Sequence, residues 1–348
     1  MTPERTVWPS DERADQSEEA NGGLYHANSC VVSTAGPLSG CFDAQSWCRS
    51  GVCIMIAEQV LNGLVLGSMY ALVALGYTLV FGVLDKLNFA HGEIFMLGGF
   101  IGLSSLAMGV SLWGALLASV VICGILGLAV ELVSFRKFKS ADAHVTAALS
   151  SLAFGMVLVD LTQKFYGSEP VALELPNNFR YASVTIAGIQ VQLVKLGILG
   201  ITIVLMAVLH IVMTRTAVGR NIRAVAESPR FASLLGINVQ LVSQQTFFIA
   251  SALAGIAGLI LAIRSGFANA DVGLTFGLKA LAIMAIGGIG DLRGAVIGGL
   301  SLGVIEALAV QFGFGGYGEI IVWMLMILVL LFKPGGIFAN SHATGTRA

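Results

Sequence analysis

Charge is scarce in this chain. Of 348 residues, 19 are Lys or Arg and 20 are Asp or Glu, 11% in all, against about 25% in an ordinary soluble domain. The formal net charge of −1 leaves no basic footprint for nucleic acid. Cysteine is scarce where it would matter. Cys30, Cys41, Cys48 and Cys53 sit in the first 53 residues and only Cys123 lies further on, so the body of the chain has no disulfide or thiolate–metal framework. No G-x-x-x-x-G-K-[ST] loop is present: Lys139 precedes Ser140 but follows Phe138. The chain therefore does not cradle ATP by that device, and any ATP-driven work must be done by a partner. There is no dense Asp/Glu/His relay of the kind proton-coupled pumps use, and no catalytic constellation to support an enzyme.

What is abundant is apolar. Hydrophobic residues make up 56% of the chain, and 43 residues are glycine, a residue more frequent in membrane helices than in soluble ones. Apolar runs of spanning length recur near 57–83, 90–109, 112–134, 145–165, 192–213, 241–264, 274–290, 294–312 and 318–333. The reading is an all-α, polytopic membrane protein of eight or nine transmembrane helices. The seventh and eighth runs flank Asp291-Leu292-Arg293 as a tight hairpin or a re-entrant pair. Residues 1–54 are a polar tail with no signal-peptide h-region, expected to be disordered or to precede the true start at Met55. The membrane domain then covers 55–340, and 341–348 form a short C-terminal tail.

Basic residues orient the spans. Arg136, Lys137 and Lys139 follow the third span. Arg215, Arg220, Arg223 and Arg230 follow the fifth, and Lys333 ends the last. These ends face the cytoplasm. The 166–191 loop, with Glu169, Glu174 and only Arg180 as a base, faces outward with the N-terminus. Small-xxx-small pairs (Gly63/Gly67, Gly98/Gly102, Gly294/Gly298, Gly299/Gly303) let helix backbones approach closely, read as packing within one protomer, with a dimer face as the alternative.

Two stretches and three carboxylates inside spans carry candidate function. The loop 213–240 holds a short helix with both ends marked: Ser228 as cap, Pro229 at the first helical position and Gly236 as C′ stop. Phe231, Ala232, Leu234 and Leu235 give it an apolar surface, and it is too short to persist alone in water. Such an element is built to dock into another protein. In LDKLNFAHGE (84–93), Asn88, a plausible N-cap, lies with His91 and Glu93 at the inner mouth of the second span. Among carboxylates inside spans, Glu131 is expected to pair with Arg136 or reach the interface, Asp160 to reach the outer interface, and Glu306 to line a pathway or pair internally.

The run 62–102, NGLVLGSMYALVALGYTLVFGVLDKLNFAHGEIFMLGGFIG, resembles the opening of bacterial ABC-transporter permeases for branched-chain amino acids. GRNIRAVAESPRFASLLGINV (219–239) is similar to that family's cytoplasmic loop, GLKALAIMAIGGIGDLRGAVIGG (277–299) to its glycine-rich segment and LFKPGGIF (331–338) to its ending. The resemblance covers about residues 56–340. It implies a multi-pass subunit of the bacterial cytoplasmic (inner) membrane that pairs with a second permease chain, often a non-identical sister. Two cytoplasmic ABC ATPase subunits and a periplasmic substrate-binding protein complete the system. ATP and Mg belong to the ATPase, and no cofactor is expected on this chain. The resemblance makes Arg220, Arg223, Glu227, Ser228, Pro229, Phe231, Leu235 and Gly236 the ATPase-coupling loop, although Ala226-Glu227-Ser228 departs from the strict Glu-Ala-Ala order of many importers. Candidate pathway or gate residues are Asn88, His91, Glu93, Gly287, Gly288 and Glu306. The alternatives are an importer of urea or short amides with the same architecture, and a stand-alone secondary transporter.

Overall fold

The computed structural model describes residues 52–138, 144–172, 183–186 and 189–338. The tail through residue 51, Lys139, Glu174, Arg180 and the 341–348 ending, with the expectations attached to them, lie outside the described residues.

The architecture is a helical bundle. Its long elements are α1 (Val52–Leu84), α2 (Ala90–Ala107), α3 (Leu112–Val130, continued by a π-turn over Glu131–Phe135), α4 (His144–Tyr166) and α5 (Leu193–Arg215). Two short helices follow, α6 (Ala217–Glu227) and α7 (Pro229–Leu234), and then α8 (Val239–Ser265), α9 (Val272–Gly287), α10 (Leu292–Ala309) and α11 (Gly318–Phe332). Four short strands decorate one end: β1 (Val171–Ala172), β2 (Ser183–Ile186), β3 (Ile189–Gln192) and β4 (Phe267–Ala268). β1 pairs antiparallel with β4 and β2 with β3. With β1 and β4 joined, the loop after α4 is tied to the loop after α8.

Among the described residues, seven stretches are long and apolar enough to cross a membrane. The seventh, Leu292–Phe332, runs through α10 and α11, which part at Gly313, where φ is +85°. That backbone is left-handed and breaks the helix direction. α9, at 16 residues, is shorter than any of these seven stretches. The expected eight or nine spans are thus seven long stretches, one of them broken in two, plus a short ninth. α9 and α10 pack on each other as a tight hairpin. The Asp291 carboxylate caps α10 by accepting from Arg293 N at 2.8 Å, and Gly287 lies against Gly294.

The core is built by α1, α2 and α8, the most buried spans, while α4, α5 and α11 present apolar faces outward. Lipid is as apolar as leucine, so helix contact in a membrane is gained by close approach. A Cβ on Gly67 would lie 2.7 Å from the Gly299 carbonyl, and one on Gly63 would lie 2.6 Å from Val304 Cα. The Gly63/Gly67 and Gly299/Gly303 pairs therefore zip α1 to α10, and Gly98 meets Gly255 of α8. The small-residue spacing serves contacts inside the protomer.

Candidate functional site

At the end that sequence reading assigns to the cytoplasm, loops converge. Lys86 donates to the Phe138 carbonyl, and burial holds its ammonium below the ordinary lysine range. His144 Nδ1 lies 2.9 Å from the Asp85 carbonyl. With the Gln240 carboxamide assigned so that its oxygen faces Arg136, the guanidinium donates to that oxygen, 2.9 Å from Nε and 2.6 Å from Nη2. The Ser243 hydroxyl lies 3.5 Å from buried Glu131.

From this end projects the element marked in the sequence. Ser228 Oγ accepts from Phe231 N at 3.4 Å, with Pro229 at the first position. At the other end Ile237 N donates to the Ala232 carbonyl at 3.0 Å and Gly236 N to Ser233 at 3.1 Å, with Gly236 at φ +83°. This is a Schellman stop, and it requires a residue that tolerates the left-handed region. Phe231, Leu234 and Leu235 are 70%, 81% and 80% exposed. Ala232, expected on the same apolar surface, is instead buried and anchors α7 to the body. Leaving two leucines and a phenylalanine in water forgoes roughly 1.5–3 kcal/mol each.

α6 was not foreseen. Thr216 caps it, accepting from Gly219 N at 3.2 Å. Ile222 and Val225 pack inward while Arg220, Arg223 and Glu227 face out. Its signal is an apolar stripe at helical spacing inside a loop that reads as polar.

Asn88, His91 and Glu93 are all buried, but only Glu93 borders a cavity. The N-cap position of α2 is Phe89 rather than Asn88. The Asn88 side-chain oxygen accepts from Ala90 N at 3.2 Å, and Ser151 Oγ accepts from Phe89 N at 3.0 Å. The His91 ring stands edge-on to Tyr77 with centroids 4.6 Å apart. Asn88 Nδ2 and Glu93 Oε2 find no partner among the described residues. Glu93, Tyr77 and Asp160 line a cavity of about 480 Å³ between α1, α2, α4 and α9.

Glu306 lies apart from that cluster. Its Oε1 is 2.8 Å from Lys279 Nζ, and its Oε2 accepts from the Tyr70 hydroxyl at 2.8 Å. Lys279 also donates to Tyr70 at 3.1 Å. The pair is internal, and Glu306 also lines a cavity of about 390 Å³ with Gln59, Asn62, Gln192, Lys195 and Arg264. Lys279, Lys195 and Arg264 are site residues that the sequence does not single out, since a lone base near a span end looks like any other.

Gly287 and Gly288 line neither cavity. Gly288 caps α9, and the chain ending folds back on it: Ile337 N donates to the Ile286 carbonyl at 2.8 Å and Phe338 N to Gly287 at 3.2 Å.

The structure is thus a multi-pass helical bundle with cavities between its helices and, at its basic end, a short capped helix with exposed apolar side chains, an architecture that suits a membrane transport permease. The chain belongs to the family described as the branched-chain amino acid transport system / permease component, whose family model matches residues 59–330. It is 34% identical over 294 residues to the high-affinity branched-chain amino acid transport system permease protein BraD of Pseudomonas aeruginosa, covering 81% of this chain and 95% of that one. It is 35% identical to the LivH proteins of Salmonella typhimurium and Escherichia coli K12, which carry the same description, with the same coverage.

Proposed function

We propose that this chain is a permease subunit of an ATP-binding-cassette importer that moves branched-chain amino acids across the bacterial cytoplasmic membrane. The observation that carries this reading is α7: a six-residue helix, capped at both ends, holding Phe231, Leu234 and Leu235 out into water on a chain with no nucleotide loop. Its occupant is the groove of a cytoplasmic ATPase. ATP and Mg sit on that partner. Closing of the ATPase pair moves α7 and the adjoining α6, and the spans pass between inward- and outward-open arrangements. The work enters through the ATPase, since a ligand shifts an equilibrium only by its differential affinity for the two states. A second permease, two ATPase subunits and a periplasmic binding protein complete the machine. The 34–35% identity to named branched-chain amino acid permeases over nearly their whole length supports the cargo class.

Purification of the detergent-solubilised protein from its own cells tests the assembly. Recovery of an ATPase pair, a sister permease and a binding protein is the expected result. A homo-oligomer that retains no ATPase would contradict it.

A further inference from the structure

The cavity beside Glu306 has an unusual balance of charge. It forms where the N-terminal half of α1, the start of α5 and the last turns of α8 and α10 meet. The placement of basic residues puts all four of these ends on the outer side. Three ionisable side chains line it: Lys195 from α5, Arg264 from α8 and Glu306 from α10. Glu306 already has partners, since Lys279 and the Tyr70 hydroxyl take one oxygen each. Among the described residues, Arg264 and Lys195 form no ion pair. The wall therefore presents one carboxylate already bonded to Lys279 and Tyr70, and two partly buried cations that feel Glu306 and Glu58 at a distance but hold no carboxylate in direct contact. Withdrawing cations from bulk water is unfavourable unless an anion answers them. A compact anion is what this cavity lacks.

The rest of the wall narrows the choice. Leu66, Ile198 and Val310 supply an aliphatic side. Gln59 and Asn62 supply carboxamide oxygens, and Glu306 retains lone pairs beyond its two hydrogen bonds. At about 390 Å³ the cavity has far more room than a single water needs.

Resting on the importer reading, we infer that this cavity is a relay site for the cargo within the permease itself. Arg264 and Lys195 receive the carboxylate of a branched-chain amino acid. Glu306 and the carboxamides of α1 receive its ammonium, and its side chain lies on Leu66, Ile198 and Val310. Arg264 and Lys195 thereby set specificity by charge after the binding protein has let go. A neutral cargo such as urea makes no use of them.

Saturation-transfer NMR on the full-length chain in nanodiscs, without any binding protein, tests this. Leucine is the probe, isocaproate the competitor that keeps the carboxylate, and leucinamide the competitor that keeps the ammonium. The expected result is a leucine signal that isocaproate abolishes at a concentration about tenfold below that needed for leucinamide, as a charge-assisted pair implies. The Arg264→Gln/Lys195→Gln double variant is expected to lose about tenfold in leucine binding, with Arg264→Lys largely retaining it. No leucine signal from the wild type, equal competition by leucinamide, or a double variant that binds like the wild type overturns the site. If the double variant fails to fold, the wild-type competition decides alone. ATP-driven uptake by the wild type is scored separately. Its absence beside the predicted competition pattern sinks the importer reading and leaves the site, while uptake with a flat competition pattern does the reverse.

Discussion

Lys279 of α9 and Glu306 of α10 meet at 2.8 Å, with side-chain exposures of 9% and 16%, and the Tyr70 hydroxyl of α1 bonds to both. Three helices are thus joined at one buried polar node. Removing either charge strands the other in a poorly solvated place. Full burial makes this loss about 3–5 kcal/mol, and the opening of Glu306 to the cavity reduces the expectation to roughly 1–3. Lys279→Met and Glu306→Gln are each expected to lower thermal stability in detergent, and the double variant to recover most of the loss. Strictly additive losses in the double-mutant cycle would show that the pair does not act as a unit.

The α1–α10 zipper makes a contrasting pair of predictions. Gly67→Ala places a methyl 2.7 Å from the Gly299 carbonyl, a contact that backbone must move to relieve. A loss of about 1–3 kcal/mol follows, as for overpacking elsewhere. Gly197→Ala, on α5 with open space around it, is expected to be silent. Size-exclusion profiles of the two variants after graded heating compare them directly; equal stability would contradict the zipper.

Coupling through α7 predicts loss of transport without loss of insertion. Leu235→Asp puts a charge on an exposed leucine that the ATPase groove is to bury. Gly236→Pro cannot adopt φ +83° and removes the N–H that bonds to Ser233. Neither touches the membrane core. Both are expected to reach the membrane at wild-type levels and to cut ATP-dependent uptake about tenfold or more, since one desolvated charge in an interface is worth well over 1.4 kcal/mol. Normal uptake by a well-expressed variant would sink the coupling role.

The helix start gives a gentler test of the same element. Ser228→Ala removes the oxygen that accepts from Phe231 N, which costs about 1 kcal/mol at an N-cap. Faster amide exchange confined to 229–237 is the expected signature, with the spans unchanged. Exchange identical to wild type would show that α7 does not depend on its cap.

What was legible in the sequence was local or periodic. Ser228, Pro229 and Gly236 mark both ends of α7 within nine consecutive residues, so its limits could be read without any tertiary knowledge. The spans were legible because length and hydropathy are set by the bilayer. The Lys279–Glu306 node was not, because its members lie 27 residues apart on antiparallel helices and only packing brings them together. Lys195 and Arg264 were hidden for a related reason: a base near a span end reads as a marker of sidedness until the fold shows two such ends sharing a cavity. The break between α10 and α11 was legible too: the apolar runs 294–312 and 318–333 part at the glycine-rich 313–318 stretch, where Gly313 takes φ +85°. The Asn88 cap was misplaced by one position, because Ser151, from another helix, takes the amide of Phe89.

The central claim is that transport by this chain is driven by a partner ATPase. Radiolabelled leucine uptake into proteoliposomes holding the whole assembly, with binding protein outside and ATP inside, measures it most directly. The account predicts uptake that requires ATP, stops when the ATPase is inactivated, survives collapse of ion gradients by ionophores and is not displaced by urea. Leucine accumulation by the chain alone, without ATP and abolished by ionophores, would contradict it and identify a secondary transporter.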